Sequence, residues 1–307
     1  MGAAVLFPGQ ASQYVGMGHA WYRASDEARL VFAYADEALG YALSDLCFNG
    51  PAERLNRTEI TQPAVFVTSL AMWKAARERL PRPDYFAGHS LGEFTALVAA
   101  DVLTFEDGLR IVARRGQLMA EAGEKAPGGM AALIGADIHR ARRLCEAVTA
   151  HSGEVLVVAN DNNPRQVVIS GTLAALEIAE RMAGEHGIRR FVRLPISIAP
   201  HSPLMEPVRA ELAALLETIP FRPPRRPVVL NRTAAPVGES EAIKAAIIEQ
   251  LTSPVRWRES LLWMGEHGVD HFIEVGPKDV LTGLVRRTLR RTKVEALDTV
   301  DVETFLG

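Results

Sequence analysis

The stretch FAGHSLGEFTALVAA, Phe86 to Ala100, restricts the possible fold more than any other part of this 307-residue chain. A short apolar run reaches Gly88, then His89, Ser90, Leu91 and Gly92 intervene before an apolar pattern with helical spacing. Glycines on both sides of a serine let the backbone turn sharply enough to push the serine oxygen into a cleft, facing the first amides of the following helix. That arrangement is a nucleophile elbow. A strand leading directly into a helix is a β-turn-α unit, and such units build parallel sheets covered by helices. The competing reading of five such residues is a glycine-rich turn with a capping serine, so the rest of the chain has to decide.

The flanking segments agree with a parallel sheet. Residues 3–7 (AAVLF) read as a buried strand ended by Pro8-Gly9, and TQPAVFVTSLAMWKAARERL, from Thr61, reads as a helix. FEDGLRIVARRGQLMAEAG is a further helix, with Leu109, Val112 and Ala113 on one stripe and Arg115 displaced from it. The character changes at Glu124. From there to about Leu194 the pattern gives a strand at 130–134, a helix at 138–149, strands at 155–159 and 166–170, a helix at 173–186 and a strand at 190–194. That βαββαβ order is the ferredoxin-like unit. SPLMEPVRAELAALLETI, PVVLN, EAIKAAIIEQL and HFIEVGP then read as helix, strand, helix and strand. The expected fold class is α/β: a large α/β-hydrolase-like domain with a parallel sheet, residues 1–125 and 196–307, carrying an inserted small ferredoxin-like domain, residues 126–195.

Composition removes several function classes. A net charge of −3 gives no overall attraction to nucleic acid, and no apolar run approaches the ~18 residues of a membrane span, so neither partner is expected. Cys47 and Cys145 form no CxxC or Cys/His cluster; both are expected to be buried reduced thiols, with no metal site, in a cytoplasmic monomer. The densest basic group, Arg286, Arg287, Arg290, Arg291 and Lys293, is either a solvated helix face or a patch for an acidic partner.

A serine nucleophile needs a base, and histidine is the usual one. His89 adjoins Ser90, so its side chain should point away from the serine. His19, His139, His151, His186 and His267 fall in polar helical or loop contexts, and His271 opens a strand. His201, in LPISIAPHSPLM, stands in a loop between the small domain and a returning helix, where it can face an interdomain cleft; it is the expected base.

Seven segments in order, FPGQASQYVGMG, GHSLGEFTALVAA, VARRGQLM, ANDNNPRQVVISG, LPISIAPHSPLM, QLTSPVRW and EVGPKDVLTGL, resemble the malonyl-CoA:acyl carrier protein transacylases, including the free-standing acyltransferases of polyketide synthesis. The resemblance runs from Leu6 to about Arg287. It implies that Ser90 accepts the acyl group with His201 as general base, and that a backbone carbonyl at Gln250 orients the imidazole in place of an aspartate. It implies an oxyanion hole built from the main-chain amides of Gln10 and Leu91. Arg115, 25 residues after Ser90, matches the family's carboxylate-binding arginine, while Arg114 is left to the surface. A guanidinium can grip a malonyl carboxylate with two parallel hydrogen bonds, which lysine cannot. Asn160 and Asn162 match asparagines lining the thioester cleft, although turn chemistry before Pro164 accounts for them equally well. No cofactor is expected, coenzyme A entering only as the thioester substrate. The implied partner besides malonyl-CoA, or a related acyl-CoA, is an acyl carrier protein.

Two positions depart from the pattern. The tetrad Ile198-Ala199-Pro200-His201 is neither of the versions that accompany malonyl or methylmalonyl use, so Pro200 leaves the α-substituent open. Ala11 replaces a common glycine, a minor change if its φ is negative. Two alternatives stay open: an acyl-thioester hydrolase on the same scaffold, which the retention of Arg115 disfavours, and a non-catalytic subunit that holds a carrier protein.

Overall fold

The computed structural model describes residues 2–307. Among these residues nine strands form two sheets: β1 (Gly2–Phe7), β2 (Tyr85–Gly88), β3 (Gly128–Ile134), β4 (Leu156–Asn163), β5 (Gln166–Thr172), β6 (Arg190–Arg193), β7 (Val228–Val229), β8 (Val269–Glu274) and β9 (Lys293–Ala296). The larger sheet is parallel throughout, in the order β7-β2-β1-β8-β9. Helices cover both faces, which is why β1 from Ala3 onward and β2 from Phe86 onward are wholly buried. The smaller sheet is antiparallel, in the order β4-β5-β3-β6, the ferredoxin-like arrangement.

Register decides where a site can form. Phe7 pairs with Gly88 and Ala87 with Val229, so the segments leaving β1, β2 and β7 emerge side by side at the carboxyl edge of the sheet. Ligands of open α/β sheets bind at that edge. Two glycines make the β2 exit possible. A Cβ on Gly88 would lie 1.9 Å from the carbonyl oxygen of Gly92, and one on Gly92 would lie 2.1 Å from that of Phe7. Ser90 between them has φ 51°, in the left-handed region.

The helix Thr58–Ala76 runs through the centre of the larger layer with 15 of its 19 residues buried. It begins at Thr58, one turn ahead of the Thr61 start expected from the sequence, so Gln62 lies within the helix and in the core. The helix Phe105–Lys125 closes on it at Gly116, where a Cβ would meet Glu59 Cα at 3.0 Å. That close approach carries the preceding residue, Arg115, into the interior.

In the smaller sheet the two faces do different work. Ala131, Leu133, Val167 and Ile169 pack under the helices Ile138–Ser152 and Leu173–Met182. Met130, Ala132 and Val168 alternate with them and face the other way, toward the large sheet. The expected ferredoxin-like elements are all present, with two main shifts in extent: β4 continues to Asn163 instead of stopping near residue 159, and the second helix ends at Met182 instead of residue 186.

The chain between residues 19 and 55 holds four helices that the sequence reading left unassigned, the longest Asp26–Leu39. In the basic C-terminal group only Arg286 and Arg287 lie in a helix, Val280–Thr288, at its carboxyl end, where positive charge meets the negative end of the helix dipole. Lys293 lies on the edge strand β9 beside Glu295. Cys47 and Cys145 are buried free thiols, and burial pushes both up to about 12. Among the described residues no helix is long and apolar enough to cross a membrane.

Gly92→Ala should lower stability by about 3 kcal/mol or more, since the new methyl group meets backbone that cannot swing aside. At ~2 °C per kcal/mol for a chain of this size the thermal midpoint should drop by roughly 6 °C. A midpoint within 2 °C of the parent would show that the elbow is not sterically tight.

Candidate active site

Ser90, His201 and Arg115, distant in the chain, meet in one cleft. Ser90 Oγ lies 2.8 Å from Nε2 of His201. His201 Nδ1 is 3.0 Å from the carbonyl oxygen of Gln250 and 3.1 Å from that of Ser253. Two carbonyls can only accept, so Nδ1 carries the ring hydrogen and Nε2 is left bare to accept from the serine hydroxyl. The Gln250 carbonyl therefore stands where the sequence placed it, and Ser253 is a second acceptor that the sequence reading missed. His201 has φ 60°, so both members of the pair are held in the left-handed region by their surroundings.

Burial holds His201 down at about 3, the positive charge of Arg115 acting in the same direction and the two carbonyls opposing it. The imidazole is thus neutral and able to take a proton throughout the neutral range. The sign follows directly. The unfolded chain binds a proton near 6.5 that the folded one refuses, so this residue costs stability increasingly as pH falls from about 6.5 toward 3.

Arg115 is 1% exposed, although its helix presents other arginines to solvent. Its NH1 donates to Gln62 Oε1 at 2.7 Å, and its NH2 lies 3.3 Å from both Ser90 Oγ and Gln250 Oε1. Nε is buried with no protein acceptor. A buried guanidinium with an unspent donor beside a serine oxygen is a place for an anion. Gln62, its firmest partner, left no signal in the sequence beyond being one of several polar residues in a mostly apolar helix. Arg114 points outward and pairs with Glu211 at 2.8 Å.

The main-chain amides of Gln10 and Leu91 donate to no acceptor among the described residues. The Ser90 amide, by contrast, is taken by Asn231 Oδ1 at 2.7 Å. Two free amides flanking the serine can receive a developing oxyanion. The loop that brings Gln10 there contains Ala11 at φ 81°, so the condition under which this replacement would be minor is not met: the alanine stands in a conformation that favours glycine.

Asn160 and Asn162 are strand residues of β4, not turn residues; the turn belongs to Asn163, whose Oδ1 accepts from the Arg165 amide at 2.9 Å. Both asparagines line the cleft. Asn162 Oδ1 lies 2.8 Å from His89 Nε2, tying the elbow to the small sheet and occupying the histidine that the sequence set aside. Of the other histidines, His271 pairs with Glu295 at 3.1 Å and His267 stacks on Trp263. Pro200 is buried in the wall of the cleft, which measures about 230 Å³. Besides the polar residues around Ser90 and Asn160, Asn162 and Gln166 of the small sheet, the cleft is walled by apolar side chains, among them Met119, Met130, Val168 and Leu194.

A fully buried carboxylate, Glu93, lies one turn beyond the serine. Burial raises it to about 7, opposed by the Asn231 amide, by the side chain of Gln250 and by the charge of Arg115.

Fold and site together define an acyl-transfer enzyme, and comparison with known proteins agrees. The family described as "Acyl transferase domain" matches residues 5–307. A Bacillus subtilis protein named malonyl CoA-acyl carrier protein transacylase is 42% identical over 302 residues, covering 98% of this chain and 94% of that protein. An acyl carrier protein S-malonyltransferase from Vibrio cholerae superposes with a TM-score of 0.93 at 40% identity, covering 98% of each chain. A malonyl-transacylase solved in complex with a type II PKS acyl-carrier protein gives 0.94 at 39% identity, covering all of this chain and 98% of that one. The chain belongs to the acyl transferase family.

Two outcomes test this geometry. Ala11→Gly should relieve about 1 kcal/mol of left-handed strain and raise the thermal midpoint by roughly 2 °C; an unchanged or lower midpoint would mean that the loop bears no strain there. The rate at which an uncharged sulfonyl fluoride modifies Ser90 should lose activity on the acid side only well below pH 6.5, and Arg115→Ala should move that limb upward, since a positive charge beside the imidazole is removed. An acid limb at 6.5 or above in the parent protein would contradict a buried neutral base.

Proposed function

We propose that this protein transfers a malonyl group from coenzyme A to the phosphopantetheine thiol of an acyl carrier protein, through an ester on Ser90. In the first half, Ser90 Oγ attacks the thioester carbonyl while His201 Nε2 takes the hydroxyl proton. The oxyanion is received by the amides of Gln10 and Leu91. Collapse expels coenzyme A, whose sulfur takes the proton from His201. In the second half, His201 removes the proton of the carrier thiol, the sulfur attacks the ester, and the proton returns to Ser90 as the new thioester leaves. A backbone carbonyl orients the imidazole but stabilises its charged form less than a carboxylate does.

The observation that carries the reading is Arg115: a guanidinium 1% exposed, 3.3 Å from Ser90 Oγ, with Nε unspent. Only an acyl group with a distal carboxylate makes use of it, and this favours malonyl transfer over hydrolysis of plain acyl chains. Asn160, Asn162 and Pro200 are assigned to the walls that hold the thioester arm and the acyl group. The names of the relatives support the malonyl donor and the carrier-protein acceptor. We further assign the chain to two units, residues 1–125 with 196–307 and residues 126–195, each supported by its own sheet and its own apolar cluster. The protein is taken to act as a cytoplasmic monomer without a bound cofactor.

Incubation with labelled malonyl-CoA should add one malonyl group to the intact protein and none to Ser90→Ala; an unmodified parent mass would contradict transfer. Charged hydrogen bonds contribute about 1.5–3 kcal/mol, so Arg115→Ala should slow malonyl loading roughly 10- to 100-fold while sparing acetyl loading. Equal losses on both donors would assign the arginine to structure alone.

A further inference from the structure

Glu93 takes no part in the steps above, yet its partners Asn231 and Gln250 reach Ser90 and Arg115. Its Oε1 accepts the Asn231 amide at 2.6 Å, and its Oε2 accepts Gln250 Nε2 at 2.5 Å. Asn231 in turn clamps the elbow, donating from Nδ2 to the Gly88 carbonyl at 2.6 Å and accepting the Ser90 amide. Gln250 Nε2 also donates to the Ser90 carbonyl at 2.9 Å, while Gln250 Oε1 faces Arg115 NH2.

A glutamine side chain has nearly the same shape either way round, so only its neighbours decide which end faces where. The Ser90 carbonyl is a pure acceptor, as is Glu93 in its carboxylate form, and together they draw the NH2 end of Gln250 toward themselves. The oxygen end is then presented to the guanidinium. Glu93 is also the one acid whose charge acts on buried Arg115, opposing the burial that lowers the guanidinium to about 10.

We infer that Glu93 is a positioning residue for acyl-group selection: through the amide of Gln250 it holds Arg115 in place to receive a substrate carboxylate. This rests on the transfer reading given above and adds to it the group that aims the arginine. Replacing Glu93 by glutamine keeps the volume but sets its new NH2 against one of two donors, the Gln250 NH2 or the Asn231 amide that fastens the elbow. If Gln250 turns over to relieve the first contact, its oxygen meets the Ser90 carbonyl and its NH2 meets the guanidinium. In each arrangement the line of hydrogen bonds from the elbow through residue 93 and Gln250 to Arg115 is broken at one link, and Gln62 alone then holds the guanidinium firmly.

The test compares malonyl-CoA and acetyl-CoA loading rates in four proteins whose folding is checked by circular dichroism: parent, Glu93→Gln, Gln250→Met and the double variant. Met fills the Gln250 volume without an amide and leaves its main-chain carbonyl for His201, so it interrupts the same link from the other end. Each single variant should lower the malonyl-to-acetyl rate ratio at least tenfold, and the double variant should fall no more than threefold below the worse single, because residues acting as one unit do not add. Either folded single variant keeping the ratio within threefold of the parent would overturn the inference alone. So would equal falls on both donors, or losses that multiply in the double variant. A parent protein with no preference for malonyl would overturn the transfer reading, and the inference with it.

Discussion

The pairing of Phe7 with Gly88 in adjacent parallel strands is the constraint on which the site depends. It brings two carboxyl-end loops, one carrying the Gln10 amide and the other Ser90, into contact over a backbone so close that Gly88 and Gly92 admit no side chain. β7 beside β2 adds Asn231, whose side chain fastens the turn at Gly88 and at Ser90. The serine is thus held by main-chain register and by a few short hydrogen bonds, with no freedom left to its backbone. The left-handed φ of Ser90 is a consequence, maintained because the surrounding structure leaves no alternative.

Inside that frame the electrostatics are set by exclusion of water. The charge of Arg115, buried beside the serine, acts on two titrating neighbours. It holds His201 further toward the neutral form and draws Glu93 back toward the carboxylate. A dyad oriented by carbonyls fits this setting, since a carboxylate behind the imidazole would favour the protonated ring. The smaller sheet closes the cleft with the face its helices leave free, placing apolar side chains over the polar corner, where hydrogen bonds and charges act more strongly than in water.

Much of this was legible along the chain. The elbow glycines, the βαββαβ order and the loop histidine are local patterns, since turn geometry and side-chain alternation are written in neighbouring residues. Some local signals went unread: the helix Asp26–Leu39 is announced by Ser25, whose side chain accepts the Ala28 amide, and is ended by Gly40 in the left-handed conformation. β9, four residues at a sheet edge, carries almost no pattern of its own.

Sequence alone determined which elements form and which residue types are available: a serine in a tight turn, a histidine in a loop, an arginine off the apolar stripe of its helix. Tertiary structure decided what those residues are. Arg115 became a buried guanidinium beside the serine because Gly116 allows two helices to touch and Gln62 to meet it. Glu93 and Ser253 joined the site because register and chain crossing brought them there, and Ala11 took a conformation that its own side chain disfavours. Local propensity is a property of a few adjacent residues, whereas burial, proton affinity and hydrogen-bond partnership depend on which distant segments the packed core forces together.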